Sequence, residues 1–141
     1  MPEQLQDVIE LRLPPDPRYI AVVRLAVAGV ASRCEMSVED IDDLKVAVSE
    51  TFTNTIDHAY EGVTPCPVMV RMLPGQAELR IEVIDEGVGF EVDKQDFNGE
   101  PDISGNGGLG LYLVYRYMDD VKIESAPGSG TRVIMTKRLA R

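Results

Sequence analysis

From position 41 to 59, apolar residues return every three or four positions. Placed at about 100° per residue, Ile41, Leu44, Val48, Phe52, Thr55 and Ala59 fall within about 80° of one another. That stripe predicts a helix opening near Ser37, where Ser37-Val-Glu-Asp40 resembles a capping box, and closing near Tyr60, ahead of Gly62, Pro65 and Pro67. An apolar segment after Pro14, Pro15 and Pro17 predicts an earlier helix over about 18–34, and a third is expected over about 108–118. Period-two alternation predicts strands at 8–13, 68–73, 77–84, 121–125 and 131–137. A Pro74-Gly75 turn joins the second and third, and Pro127-Gly-Ser-Gly130 the last two. The order β-α-α-β-β-loop-α-β-β favours an α+β fold: a two-layer sandwich with a mostly antiparallel sheet and helices on one face. No linker divides the 141 residues, so 1–141 reads as one domain with a core of its own.

Charge narrows the function classes. Fourteen basic residues against 24 acidic ones give a formal net charge of −10, which argues against direct nucleic-acid binding and against anionic membranes. No apolar run approaches the roughly 18–20 residues of a membrane span. The opening MPEQLQDVIE lacks the basic and apolar regions of a signal peptide. Cys34 and Cys66 have no metal-ligand spacing and read as reduced thiols. The expectation is a cytoplasmic protein.

Three segments carry candidate chemistry. On the central helix, Glu50, Asn54 and Asp57 lie roughly opposite the apolar stripe, with His58 toward its edge. These positions suit a solvated polar face. Alternatively, Glu50 and Asn54, one turn apart, offer two hard oxygens about 6 Å from each other, as Mg²⁺ prefers. His58, the sole histidine, supports no catalytic role by itself.

In the 77–84 strand, Leu79, Ile81 and Val83 form one face, and the same parity carries Asp85 to the buried side. A buried carboxylate needs donors. An adenine amino group would supply them, and so would the backbone of an Asp-x-Gly turn. Gly87 and Gly89 follow, allowing positive φ and close approach of a ligand to the main chain. Sixteen residues beyond Gly89 begins Gly105-Asn-Gly-Gly-Leu-Gly110, at the entrance to the third helix; amides at a helix N-terminus suit a polyphosphate. The run lacks Gly-Lys-Ser/Thr and does not follow a strand directly, so it is neither a P-loop nor a dinucleotide fingerprint. The acidic stretch 91–106 between the glycine segments is expected to be a mobile lid over a nucleotide.

Taken together, these residues resemble the GHKL (Bergerat-fold) ATPases. Glu50-xxx-Asn54-xxx-His58 looks like the N box of that superfamily. Asp85-x-Gly87-x-Gly89, Gly105 to Gly110, and Gly128-Ser-Gly-Thr131 look like its glycine boxes. Within it, Leu44-Lys-Val-Ala-Val-Ser-Glu50, His58-Ala-Tyr60, Gly107-Gly-Leu-Gly-Leu-Tyr112 and Met118-Asp-Asp-Val121 are most similar to the anti-sigma factor serine kinases of the RsbW and SpoIIAB type.

That resemblance implies ATP and Mg²⁺ as cofactors, Glu50 as general base and Asn54 as the Mg²⁺ ligand. Asp57 and His58 would be further nucleotide-binding residues. Asp85 would read adenine with help from Thr131. Gly105, Gly107, Gly108, Leu109 and Gly110 would cradle phosphates. It also implies a STAS-domain anti-anti-sigma protein as substrate, a sigma factor as second partner, a homodimer, and Arg24 as a partner-contacting residue. Ile103 departs from the basic residue some relatives carry before the glycine run. Two other functions fit the same motifs: a switch kinase acting on a STAS scaffold without a sigma factor, and an ATP-gated binding module without phosphoryl transfer.

Overall fold

The structure is a computed structural model that describes residues 7–60, 65–90 and 108–139. The proposed lid at 91–106, Ile103, Gly105 and Gly107 lie outside the described residues, as do the side chains of Gly108, Leu109 and Gly110.

Five strands, β1 (Ile9–Leu13), β2 (Val68–Pro74), β3 (Glu78–Asp85), β4 (Asp120–Ser125) and β5 (Thr131–Arg138), form one sheet in the order β1-β2-β3-β5-β4. Every pairing is antiparallel. Helices α1 (Ile20–Arg33), α2 (Val38–His58) and α3 (Gly108–Tyr117) cover one face. The expected two-layer α+β sandwich is therefore the observed one.

Local chemistry places the helix ends. The Ser37 hydroxyl accepts the Asp40 N–H at 3.1 Å, so α2 starts where the capping pattern predicts. The earlier helix begins two residues later than expected. Asp16 takes the Arg18 N–H at 2.9 Å and Pro17 opens a single 3₁₀ turn, Pro17–Tyr19, ahead of α1.

The core is one cluster. Val23 and Val27 of α1, Leu44, Val48 and Phe52 of α2, Val114 of α3 and Met118 just after it meet Val70, Met72, Leu79, Ile81, Val83 and Met135 of the sheet. Each large side chain in this layer contributes about 1.5–3 kcal/mol by leaving water. α1 is apolar nearly all round, yet it buries only Val23, Val27 and Ala31. Val22 and Leu25 stay exposed beside the exposed Arg24.

The other face of the sheet is polar, with a buried charge at its centre. Glu82 is only 1% exposed. Its Oε1 takes Arg71 Nη1 at 3.1 Å and Arg132 Nη2 at 2.8 Å, and its Oε2 pairs with Arg80 Nε at 3.1 Å. The register explains this: Glu82 stands opposite Arg71 on β2 and beside Arg132 on β5.

Candidate functional site

Three segments far apart in the chain meet at one cavity of about 480 Å³. α2 supplies Thr51, Asn54, Thr55 and His58. The end of β3 supplies Asp85, and the loop after it Val88, Gly89 and Phe90. Leu111 comes from the first turn of α3, and Ile123, Thr131 and Val133 come from β4 and β5. The volume lies within the roughly 300–1,000 Å³ of small-molecule sites, and the lining has their usual character, apolar walls with a few convergent polar groups.

Asp85 is the most constrained of these groups. It is 5% exposed, and its Oδ1 accepts the Gly87 N–H at 2.9 Å. Burial pushes its carboxyl above the ordinary carboxylate range, while the N–H groups of Gly87 and Thr131 pull in the opposite direction. The Asp-x-Gly turn and the cavity-facing position are thus both realised. Thr131 is the direct cross-strand partner of Asp85.

The two glycine-bearing loops lock together behind this pair. Gly128 N–H donates to Val88 O at 2.7 Å, and Phe90 N–H donates to Ser125 Oγ at 2.9 Å. Gly89 has φ 65°, as expected, and a Cβ there would lie 2.1 Å from Ala126 O. Gly87 needs a different explanation: its φ is not positive, and the group that approaches it closely is the chain's own Ala59 carbonyl. That carbonyl also accepts the Val88 N–H at 2.6 Å, so the end of α2 is clamped onto the Asp85 loop.

The helix geometry sorts the α2 residues. Taking Thr51 as zero, Thr55 and His58 lie within about 40° of it and Asn54 about 60° to one side. Asn54 and His58 line the cavity. Glu50 and Asp57 lie about 40–60° farther round than Asn54. Glu50 is half-buried, Asp57 is exposed, and neither lines the cavity. Thr51 was not singled out in the sequence, because a threonine beside an apolar stripe reads as packing. Its hydroxyl donates back to Ala47 O at 2.9 Å, and that of Thr55 to Thr51 O at 3.1 Å.

The apolar wall of Val88, Leu111, Ile123 and Val133 carries no motif; its only signal in the sequence is the period-two parity that sets Val133 on the same strand face as Thr131. Because Leu111 borders the cavity, the N-terminal turn of α3 lies at its rim. Among the described residues, no helix is long and apolar enough to cross a membrane.

An amine-accepting carboxylate, an apolar slot and an adjoining helix N-terminus are what a purine nucleotide requires. The fold and the site define an ATPase domain of the histidine kinase-like class, and the family described as "Histidine kinase-like ATPase domain" matches residues 13–137. The chain is 41% identical to the serine-protein kinase RsbW of Bacillus velezensis, over 94% of this chain and 86% of that protein. It is 39% identical to the RsbW of Bacillus subtilis, with the same coverage. The Listeria monocytogenes EGD-e protein of that name is 37% identical over 94% of this chain and 88% of its own. The chain belongs to the RsbW family of serine-protein kinases. Among solved structures, the RsbU and RsbW domains of a Mycobacterium tuberculosis protein superpose with a TM-score of 0.70 at 21% identity, covering 96% of this chain and 33% of that one.

Proposed function

We propose that this protein is an ATP-dependent protein-serine kinase and anti-sigma factor, whose substrate is a serine on a STAS-domain antagonist. The observation that carries the reading is the convergence of Asn54, His58, Asp85 and Thr131 on one cavity, in a chain of this family. Asp85 accepts from the adenine amino group, with Thr131 beside it. The apolar wall holds the ring, and the amides opening α3 at Gly108, Leu109 and Gly110 serve the phosphates, a role that the motif extends to Gly105 and Gly107. Asn54, whose side chain lines the cavity, would hold Mg²⁺ through its amide oxygen, and the ion would supply charge neutralisation at the phosphates.

Glu50 sits one turn before Asn54, half-buried and outside the cavity lining, and in this reading the family motif makes it the group that takes the proton from the substrate hydroxyl. Positioning and electrostatics account for most of the acceleration. Phosphorylation adds close to two negative charges to the antagonist and drives the partners apart, and the unmodified antagonist releases the sigma factor. The exposed Arg24, flanked by the exposed Val22 and Leu25, supports a protein-contacting role for α1, either toward these partners or across a homodimer.

The test is transfer of label from γ-labelled ATP to a STAS-domain protein, with co-purification of a sigma factor as its companion. Glu50→Gln should keep nucleotide affinity and lose transfer by about 10²-fold or more. Undiminished transfer would remove Glu50 as the base. Transfer to a STAS protein with no sigma factor bound would favour the switch-kinase reading.

A further inference from the structure

Ser125, at the end of β4, does not line the cavity, yet it holds two residues that do, Phe90 and Thr131, together with the Gly130 carbonyl next to Thr131. Its Oγ lies 2.9 Å from Phe90 N, 2.9 Å from Gly130 O and 2.8 Å from Thr131 Oγ1. A serine hydroxyl has one proton and two lone pairs. Phe90 N–H can only donate, so it takes one lone pair. The Gly130 carbonyl can only accept, so it takes the proton. The remaining lone pair leaves Thr131 one role toward Ser125, that of donor. All three contacts are satisfied together only in this ordering, and it commits the single Thr131 proton away from the cavity.

We propose that Ser125 is a positioning residue that fixes the Thr131 hydroxyl as a hydrogen-bond acceptor toward the cavity. The Asp85 carboxylate and the Thr131 hydroxyl then both present acceptors to the cavity. It favours a base edge bearing an amino group and disfavours one bearing a carbonyl. The inference rests on the adenine-nucleotide reading above and adds the residue that sets the polarity of its base-contacting wall.

The readout is a ratio, which a purely structural role would not move. Titration of the full chain at pH 8 with ADP and with IDP, which carries a carbonyl in place of the adenine amine, gives the two dissociation constants. Ser125→Ala frees the Thr131 proton to turn toward a carbonyl, so the IDP-to-ADP ratio should fall about tenfold, the worth of roughly one hydrogen bond. Ser125→Cys, which fills the site but hydrogen-bonds weakly, should lower the ratio in the same direction and serves if the alanine variant does not fold. Ser125→Thr should keep the wild-type ratio. In a Thr131→Ala background, Ser125→Ala should not change the ratio further.

Equal weakening of both nucleotides in the alanine and cysteine variants would overturn the inference while leaving adenine binding intact. A further fall of the ratio without Thr131 would also overturn it. A wild-type protein that binds neither nucleotide would sink the adenine reading and this inference together.

Discussion

Gly87→Ala isolates the clamp between α2 and the Asp85 loop. A Cβ at position 87 would lie 1.9 Å from Ala59 O, 2.5 Å from its carbonyl carbon and 2.7 Å from its Cβ. Ordinary contact requires about 3.4 Å, so helix end and loop must separate by about 1.5 Å. The Val88 N–H to Ala59 O bond at 2.6 Å uses the same carbonyl and would break. Overpacking of this kind costs about 1–3 kcal/mol and the lost bond about 0.5–1.5 kcal/mol. A total of about 2–4 kcal/mol corresponds to about 6–12 °C in the unfolding midpoint of a domain this size. Because φ at 87 is not positive, backbone conformation adds nothing and the effect is steric.

The displacement also moves Asn54 and His58 away from Asp85, so ADP affinity should fall by about tenfold or more. Gly29→Ala is the control. Gly29 is exposed within α1 and an added Cβ meets nothing within 4 Å, so that variant should gain about 0.5–1 kcal/mol. Thermal unfolding and calorimetric titration of both variants settle the matter. A Gly87→Ala protein that melts with the wild type and binds ADP normally would refute the clamp.

Asp85→Asn should separate stability from function. The folded carboxyl titrates above its unfolded value, so the stability it confers is fully present below the unfolded pKa and is lost as pH rises through the folded one. At neutral pH the ionised group therefore opposes folding. The asparagine variant should melt about 1.5–3 °C higher, a gain of about 0.5–1 kcal/mol, with a flatter stability profile at and above the acid range, and should bind ADP about 10²-fold more weakly. A lower melting point at pH 7 would reverse the sign of this argument. Glu82→Gln leaves three arginines without their shared carboxylate. Because those arginines are partly hydrated, the expected loss is about 1–3 kcal/mol by urea denaturation, below that of a fully buried pair. ADP affinity should not change, since the cluster occupies the opposite face of the sheet, and a parallel loss of binding would contradict that separation. Asn54→Ala should weaken Mg²⁺-ATP far more than metal-free nucleotide, and equal losses would exclude Asn54 as the metal ligand.

Features that depend on one element were legible in the sequence. The α2 stripe, the Ser37 cap and the parity of β3 each follow from local periodicity, and parity alone carries Asp85 to the buried side. Features that depend on two elements were not. Alternation correctly turned Glu82 away from the core, but a residue on that face reads as solvated. It is buried because register sets Arg71 and Arg132 on the neighbouring strands around it. In the same way, the α2 wheel placed Glu50, Asn54 and Asp57 on one polar face. Which of them meets the cavity depended on the Asp85 loop and the start of α3 closing over the Asn54 and His58 edge.

Gly87 and Ser125 mark the limit of a single-chain reading for the same reason. The partner of Gly87 lies 28 positions earlier, and Phe90 lies 35 positions before Ser125. Neither spacing has a periodicity that sequence could reveal. On the function proposed above, these two contacts close the base-reading wall and set which way its hydroxyl points. The residues that would touch the nucleotide follow from motif and parity, whereas the residues that orient them follow only from the packing of the Asp85 loop against the end of α2 and against the turn between β4 and β5.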